Sequence, residues 1–289
     1  MSRRQVVIAT AASAIGHDPD LSLLVDAFTL RGIAAGVLPW QEIEPTPEQS
    51  VMIRSCWDYY REPGRFAAWC QALDECQNSA NYVHWNMDKG YLLQLASRGI
   101  PVIPTALNEQ SFSRLPIVPE YIVKPRISAS GIGVRVLTRS QAVEASSALL
   151  SAGNLLQPRI RAQHGSPNEF SLILIDGKRS HAFLRAPILD AFDPLWRHPD
   201  ADAGFSPAPE ELSLPWAWAE ETVRVAQCLV SAPDSPLYAR VDFIGSEVGP
   251  LLLELELIEP ALLLYRSQGS VDLLCDSFLR RTTGRLWAL

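Results

Sequence analysis

The sequence predicts an α/β protein: a small parallel sheet at the N-terminus, followed by a larger region of α+β character. Three observations carry that prediction. Residues 5–39 alternate a β-branched apolar run, an amphipathic segment and a second apolar run, which is the pattern of a β-α-β unit. Two alternating strands, EFSLILID and SHAFLRAP, meet at Asp176-Gly177, a dipeptide suited to the positive φ angles of a tight hairpin. A second pair, LYARVDFI and PLLLELEL, is joined by the short GSEVG segment.

Taken in order, VVIA at residues 6–9 reads as a buried first strand, with Gly16, His17 and Asp18 in the loop after it. The segment DLSLLVDAFTLR (20–31) has apolar residues at helical spacing and stops at Gly32, as helices commonly do. IAAGVLPW and VMIRS supply further strands, and the Ala- and Trp-rich stretch to about residue 76 a helix. Asn86 to Asp88 are expected to cap a helix KGYLLQLASRG ending at Gly99, followed by a strand-like IPVIPT. YIVKP is a strand entering the Gly-rich turn RISASGIG. A helix over about 139–152, a strand NLLQPRI, the first hairpin, a helix near 216–231 and the last hairpin complete the chain. Residues 190–215, rich in Pro, Asp and Trp without periodicity, read as a long mobile loop suited to a lid.

Composition sets the boundaries. The 289 residues are 47% hydrophobic and 20% charged, the profile of a globular chain with a substantial core. The net charge of −7 comes with no dense Lys/Arg block, so nucleic acid is not an expected partner. The opening MSRRQVVIATAA superficially resembles a secretory signal but reads better as a strand, and no run reaches the length of a membrane span. Five cysteines without C-x-x-C spacing argue against both a disulfide framework and a zinc site. A reducing cytoplasm is the expected location.

Three constellations can carry chemistry. Alternation places Arg240 and Asp242 on one face of LYARVDFI and Glu254 and Glu256 together on PLLLELEL, with Leu253, Leu255 and Leu257 opposite. Two carboxylates 5 Å apart repel by about 3 kcal/mol at an effective dielectric of about 20, so this cluster needs a cation or raised pKa values. An all-oxygen set favours Mg²⁺ or Mn²⁺; the same alternation also describes a solvated sheet face. The second constellation is Lys124-Pro125 followed by Arg126-Ile127-Ser128-Ala129-Ser130-Gly131-Ile132-Gly133. Its small residues let backbone N–H groups close on phosphate, or make an ordinary turn. Only three lysines stand beside 22 arginines, and Lys89 and Lys124, with Arg185 and Arg240, would supply the local cations a polyanion needs. The third is Arg54 to Tyr59 at a strand end, where open α/β sheets place ligands. There Arg54 could clamp a carboxylate, Asp58 hold an ammonium, and Trp57 and Tyr59 wall a pocket.

In this order the motifs resemble the ATP-grasp superfamily over roughly residues 85–260: Asn86 to Lys89, Lys124-Pro125 with its loop, Leu156 to Ile160, Glu169-Phe170-Ser171, Arg240-Val241-Asp242 and Glu254-Leu255-Glu256. RSCWDYY, HWNMDKGYLLQL, SHAFLRAP and LELELIEP more narrowly resemble the branch of cyclo-ligases that close O-ureido-D-serine to D-cycloserine in antibiotic biosynthesis. The resemblance implies an ATP-grasp fold with three parts: an N-terminal parallel α/β (pre-ATP-grasp) domain at 1–83, a subdomain with the Gly-rich loop at 84–155, and a C-terminal subdomain with adenine hinge and metal site at 156–289. It further implies ATP and Mg²⁺ (or Mn²⁺) as cofactors. Lys89, Lys124, Ser128, Ala129, Ser130 and Gly131 would meet phosphates, Gln157, Pro158 and Ile160 adenine, and Glu169 the ribose. Arg185 and Arg240 would act on the transferring phosphoryl group, and Asp242, Glu254 and Glu256 on the metal. Arg54, Trp57, Asp58, Tyr59 and Glu259 would face an amino-acid-like carboxylate substrate. The usual ending has Asn where Glu256 stands, and the stretch AFDPLWRHPDADAGF lacks the paired glycines of the branch. Intramolecular ring closure, intermolecular carboxylate–amine ligation and nucleotide binding without turnover stay open on sequence alone, as does a homodimer.

Overall fold

The computed structural model describes residues 5–47, 49–160, 169–185, 205–207 and 215–282. Apart from 205–207 and Pro215, the segment expected to be a lid lies outside them, as do Arg197 and Gly204.

A four-stranded parallel sheet forms the N-terminal layer. It contains β1 (Gln5–Thr10), β2 (Ala35–Pro39), β3 (Gln49–Ile53) and the short β4 (Cys76–Gln77), in the order β2-β1-β3-β4. The expected β-α-β start is present, with α1 (Pro19–Leu30) as the crossover. Asp18 caps α1 by accepting the Asp20 N–H, and Pro19 suits a first helical turn that has no partner for its N–H. After β3 come α2 (Pro63–Ala72), α3 (Ala80–Asn86), α4 (Tyr91–Ser97) and the single turn α5 (Glu109–Phe112).

A three-stranded antiparallel sheet follows, with β5 (Glu120–Pro125) between β6 (Arg135–Thr138) and β7 (Asn154–Pro158). Against it packs α6 (Arg139–Ser151), capped by Thr138 and Gln141. The third sheet is antiparallel, in the order β10-β9-β8-β11-β12. Its strands are β8 (Glu169–Ile175), β9 (Lys178–Arg185), β10 (Phe205–Pro207), β11 (Tyr238–Ser246) and β12 (Gly249–Glu256). Asp176 and Gly177, both at positive φ, make the expected tight turn between β8 and β9. Helix α7 (Trp216–Leu229) covers one face of this sheet. Helix α8 (Ser270–Thr282) packs on α1, its Phe278 edge-on to Phe28; the sequence reading did not include it.

Three local expectations are corrected. IPVIPT is not a strand: its prolines remove ladder donors, and it touches the sheet through one bridge, Val102 to Leu252. Asn86 caps nothing. It is the last residue of α3, and its side chain donates to Leu255 O at 2.9 Å and accepts from Leu257 N at 2.8 Å. Leu253 does not line the buried face, because the ladder slips between Asp242 and Phe243 and Leu252 takes the position opposite Phe243.

These corrections share one consequence. β12 is an edge strand, and edge strands present unpaired backbone groups. Here Pro101 and Ile103 pair with Leu252, the Tyr91 hydroxyl bonds both N and O of Leu255, and Asn86 and Asn78 bond Leu257. The backbone on either side of Glu254 and Glu256 is therefore held from outside the sheet.

Candidate active site

The β11–β12 hairpin sets the register. Arg240 stands opposite Glu256 and Asp242 opposite Glu254, so all four side chains emerge on one face. Asp242 and Arg240 are 1% and 4% exposed. Arg240 donates from Nε to both Asp242 oxygens, at 3.0 and 3.1 Å, and from Nη2 to Asp242 Oδ2 at 2.9 Å and to Glu256 Oε1. Burial alone would lower the pKa of the Arg240 guanidinium, but Asp242 and Glu256 outweigh it and hold the group charged.

Lys89 joins the hairpin to the Gly-rich loop. Its Nζ lies 3.2 Å from Glu254 Oε1 and donates to Ser128 O at 2.9 Å, and its own backbone N–H donates to Arg126 O. The turn around Lys89 is tied down by Asp88, which accepts from Gly90 N and pairs with Arg126 at 2.8 Å. Burial works to raise the Glu254 carboxyl, yet Lys89, Lys124 and Arg240 together hold it below the ordinary carboxylate range. The cluster thus meets the demand read from sequence with cations of the chain itself.

The loop is built for close approach. Ser130 and Gly131 sit consecutively at φ 53° and 69°, a left-handed pair that glycine adopts without strain. Gly133, at φ +79°, packs so tightly that a Cβ would stand 2.7 Å from Pro125 Cγ. Ser128 and Ala129 are buried beneath. Lys124 stands opposite Leu155 on β5. Gln157 and Pro158 lie on β7 beside β5, with Ile160 two residues beyond; the Gln157 amide donates to Thr105 Oγ1 at 2.9 Å. Glu169 opens β8 on the face that bears Asp242, opposite Ile244 and Arg185 in backbone register.

The Arg54 to Tyr59 segment divides. Trp57 reaches the site, its Nε1 donating to Glu259 O at 3.1 Å. Tyr59 is buried against Phe66, and its phenol is pushed up by burial and by the fields of Glu259, Glu254 and Glu256. Arg54 is wholly buried, 3.6 Å from Asp20 and over the Tyr238 ring. The structure does not bring Asp58 into this group: its oxygens accept from Trp40 Nε1 at 2.9 Å and Gln41 Nε2 at 2.7 Å. Those bonds tie the half-buried carboxylate to the segment that follows β2.

Glu259 follows three residues after Glu256. Loss of hydration pushes its carboxyl well above the ordinary range, and Glu256 and Glu254 push it further. A folded-state pKa above the unfolded value means the folded chain holds more protons. This group's contribution to stability is therefore present below its unfolded pKa, near 4.3, and is lost as pH rises toward the folded one. Glu259→Gln is expected to raise the thermal midpoint at neutral pH and to flatten its dependence on pH above about 4.3. Parallel slopes in wild type and variant would show that Glu259 is ionised in the folded chain.

Sequence reading missed Asn86, Tyr91 and Asn78 as supports of β12, because their partners lie more than 150 residues away. It also gave Ser171 no role, although EFSLILI is polar at alternate positions 169 and 171, which is a one-face signal.

Among the described residues, no three histidine, cysteine or carboxylate side chains stand as a ready metal cage. What the hairpin offers is an all-oxygen pair, Asp242 and Glu254, face to face. Mg²⁺ is typically held by one or two carboxylates together with substrate phosphates, so the donor set fits that ion in kind.

The overall fold has counterparts among solved structures. The ATP-grasp ligase PsnB, in a structure with a phosphomimetic variant of its minimal precursor, Mg and ADP, superposes with a TM-score of 0.63 at 15% identity over 97% of this chain and 100% of that one. The fold is that of the ATP-grasp ligases. Within it, residues 6–81 match the family described as D-cycloserine synthetase DcsG, N-terminal domain. The chain is 29% identical to the cycloserine biosynthesis protein DcsG of Streptomyces lavendulae over 286 residues, covering 91% of this chain and 94% of that protein. The crystal structure of D-cycloserine synthetase DcsG superposes with a TM-score of 0.82 at 27% identity, over 96% of this chain and 99% of that one. No helix among the described residues is long and apolar enough to cross a membrane.

Proposed function

We propose that the chain is an ATP- and Mg²⁺-dependent ligase that activates an amino-acid-like carboxylate as an acyl phosphate and closes it onto a nitrogen of the same molecule. The substrate would be of the O-ureido-D-serine type and the product of the D-cycloserine type, the carbamoyl group of the ureido substituent being lost by hydrolysis as carbon dioxide and ammonia. The observation that carries the ATP chemistry is Lys89, which bonds the Gly-rich loop at Ser128 and the acidic hairpin at Glu254 with one ammonium group. The likeness to DcsG over most of both chains supports the ring-closing reading.

When bound, ATP supplies the phosphoryl group and Mg²⁺ the charge that screens it. Lys89 and Lys124 meet phosphate oxygens, with the Ser128 to Gly131 backbone folded over them. Gln157, Pro158 and Ile160 flank the base, and Glu169 takes the ribose hydroxyls. Asp242 and Glu254 hold the ion, with Glu256 beside them. Arg240, and Arg185 from β9, neutralise charge that develops during transfer. Arg240 then stands where the oxyanion of nitrogen attack would form. Trp57, Tyr59 and Glu259 border the carboxylate substrate, with the buried Arg54 guanidinium behind them. No side chain of the enzyme need become covalently attached; the protein orients and screens.

Incubating the chain with ATP, Mg²⁺ and a panel of amino acids and their ureido and aminooxy derivatives, with ADP release and product mass measured, tests the proposal. One substrate consumed per ADP, with a product lighter than that substrate, is the expected result. A product joining two substrates would replace ring closure by intermolecular ligation. ATP binding without substrate-dependent ADP release would sink the catalytic reading.

A further inference from the structure

The β12, β11, β8 and β9 strands line up Glu254, Asp242, Ser171 and Phe183 in one row of the sheet. The adjacent row holds Glu256, Arg240, Ile173 and His181. Ser171 is 1% exposed, and its hydroxyl is buried with no hydrogen-bond partner. A buried polar group left without a partner costs roughly 1–3 kcal/mol, and folded proteins retain few of them. Ser171 is directly opposite Asp242, and opposed side chains in such a pair have Cβ atoms about 4.5–5.5 Å apart. A serine hydroxyl can therefore turn to meet the aspartate. In the ligand-free chain both Asp242 oxygens receive N–H groups of Arg240.

We propose, resting on the ligase reading above, that Ser171 is a positioning residue that holds Asp242 once Arg240 leaves it. Each N–H that Arg240 turns from Asp242 to a transferring phosphoryl group is lost to the aspartate. Asp242 then loses these charge-assisted donors while buried, which is unfavourable unless other partners replace them. The Ser171 O–H donates to one Asp242 oxygen and fixes the carboxylate's rotation, leaving the other oxygen for the cation. The hydroxyl is thus unsatisfied in the ligand-free chain and satisfied in the loaded one. Such a differential contact shifts a two-state site toward its loaded form. No covalent bond changes.

The test uses the full chain, with Mn²⁺ as the spectroscopic probe and ADP as the nucleotide. Ser171→Ala is expected to leave the ligand-free thermal midpoint unchanged or higher, because it removes a hydroxyl that has no partner there. The same change should weaken Mn²⁺·ADP binding by about fivefold to tenfold, the value of one hydrogen bond, and leave metal-free ADP binding unaltered. Ser171→Cys, similar in volume with a weaker donor, should show most of the same loss. A lowered ligand-free midpoint with unchanged Mn²⁺·ADP affinity would make Ser171 a structural residue and overturn the inference. Equal weakening of ADP with and without the metal would overturn it too. If the wild-type chain binds no Mn²⁺·ADP, the ligase reading itself falls, and this inference with it.

Discussion

Replacing Arg240 by methionine is expected to abolish substrate-dependent ADP release and to cost the ligand-free chain on the order of 3–5 kcal/mol. The two losses have different origins. Turnover goes because Arg240 is the cation that meets both Asp242 and Glu256 on the hairpin and, in the proposed mechanism, the charge that develops on the phosphoryl group. Stability goes because Asp242, 1% exposed, receives three N–H contacts from this one guanidinium, and a buried carboxylate that loses a cationic partner is far more costly than an intact pair. Adding Asp242→Leu to Arg240→Met should therefore recover much of the stability and none of the activity. Urea unfolding beside an ADP-release assay separates the two. Activity of the single variant within tenfold of wild type would remove Arg240 from the phosphoryl chemistry.

Glu254→Gln should do nearly the opposite. Glu254 is paired to Lys89 at 3.2 Å, but its side chain is 25% exposed, so the pair is partly hydrated and contributes within the range of about 0–1 kcal/mol found for such bridges. Glutamine keeps an oxygen for the Lys89 ammonium and loses only the charge. Folding should be close to normal. Turnover should fall by about 10²–10³, the usual consequence of removing one group that stabilises transition-state charge. Metal-dependent nucleotide binding should weaken in parallel. Unchanged Mn²⁺·ADP affinity with near-normal turnover would take Glu254 out of the ion's surroundings and leave the hairpin a structural feature.

The two variants differ because the hairpin carboxylates are neutralised from different places. Asp242 and Glu256 are met by Arg240, within the hairpin, whereas Glu254 is met by Lys89, which begins the connection into α4. Any motion between the Lys89 turn and the hairpin would alter the second scheme and spare the first.

Much of this was legible in the sequence, wherever the deciding physics is local. Side chains on a strand alternate by covalent geometry, so LYARVDFI and PLLLELEL placed Arg240 with Asp242 and Glu254 with Glu256 before any packing was known. Asp176-Gly177 fixed a hairpin because few dipeptides accept two positive φ angles. Gly131 and Gly133 marked the loop for the same reason. The demand for a counterion followed from Coulomb's law alone.

What only the tertiary structure decided was who answers each demand. Nothing in the local sequence says that Lys89, 165 positions before Glu254, supplies its cation, or that Trp40 and Gln41 donate to Asp58. Asn86 looked like a helix cap because capping is the local use of asparagine, yet an edge strand about 170 residues away offers its amide two backbone partners. The bulge at Leu253 follows from twist and register shared by two strands. Ser171 was one polar residue in an apolar strand until the register set it opposite Asp242. Alternation, turns and charge repulsion act over a few residues and can be read from the chain, whereas the partners of a buried polar group are set by packing between segments distant in sequence.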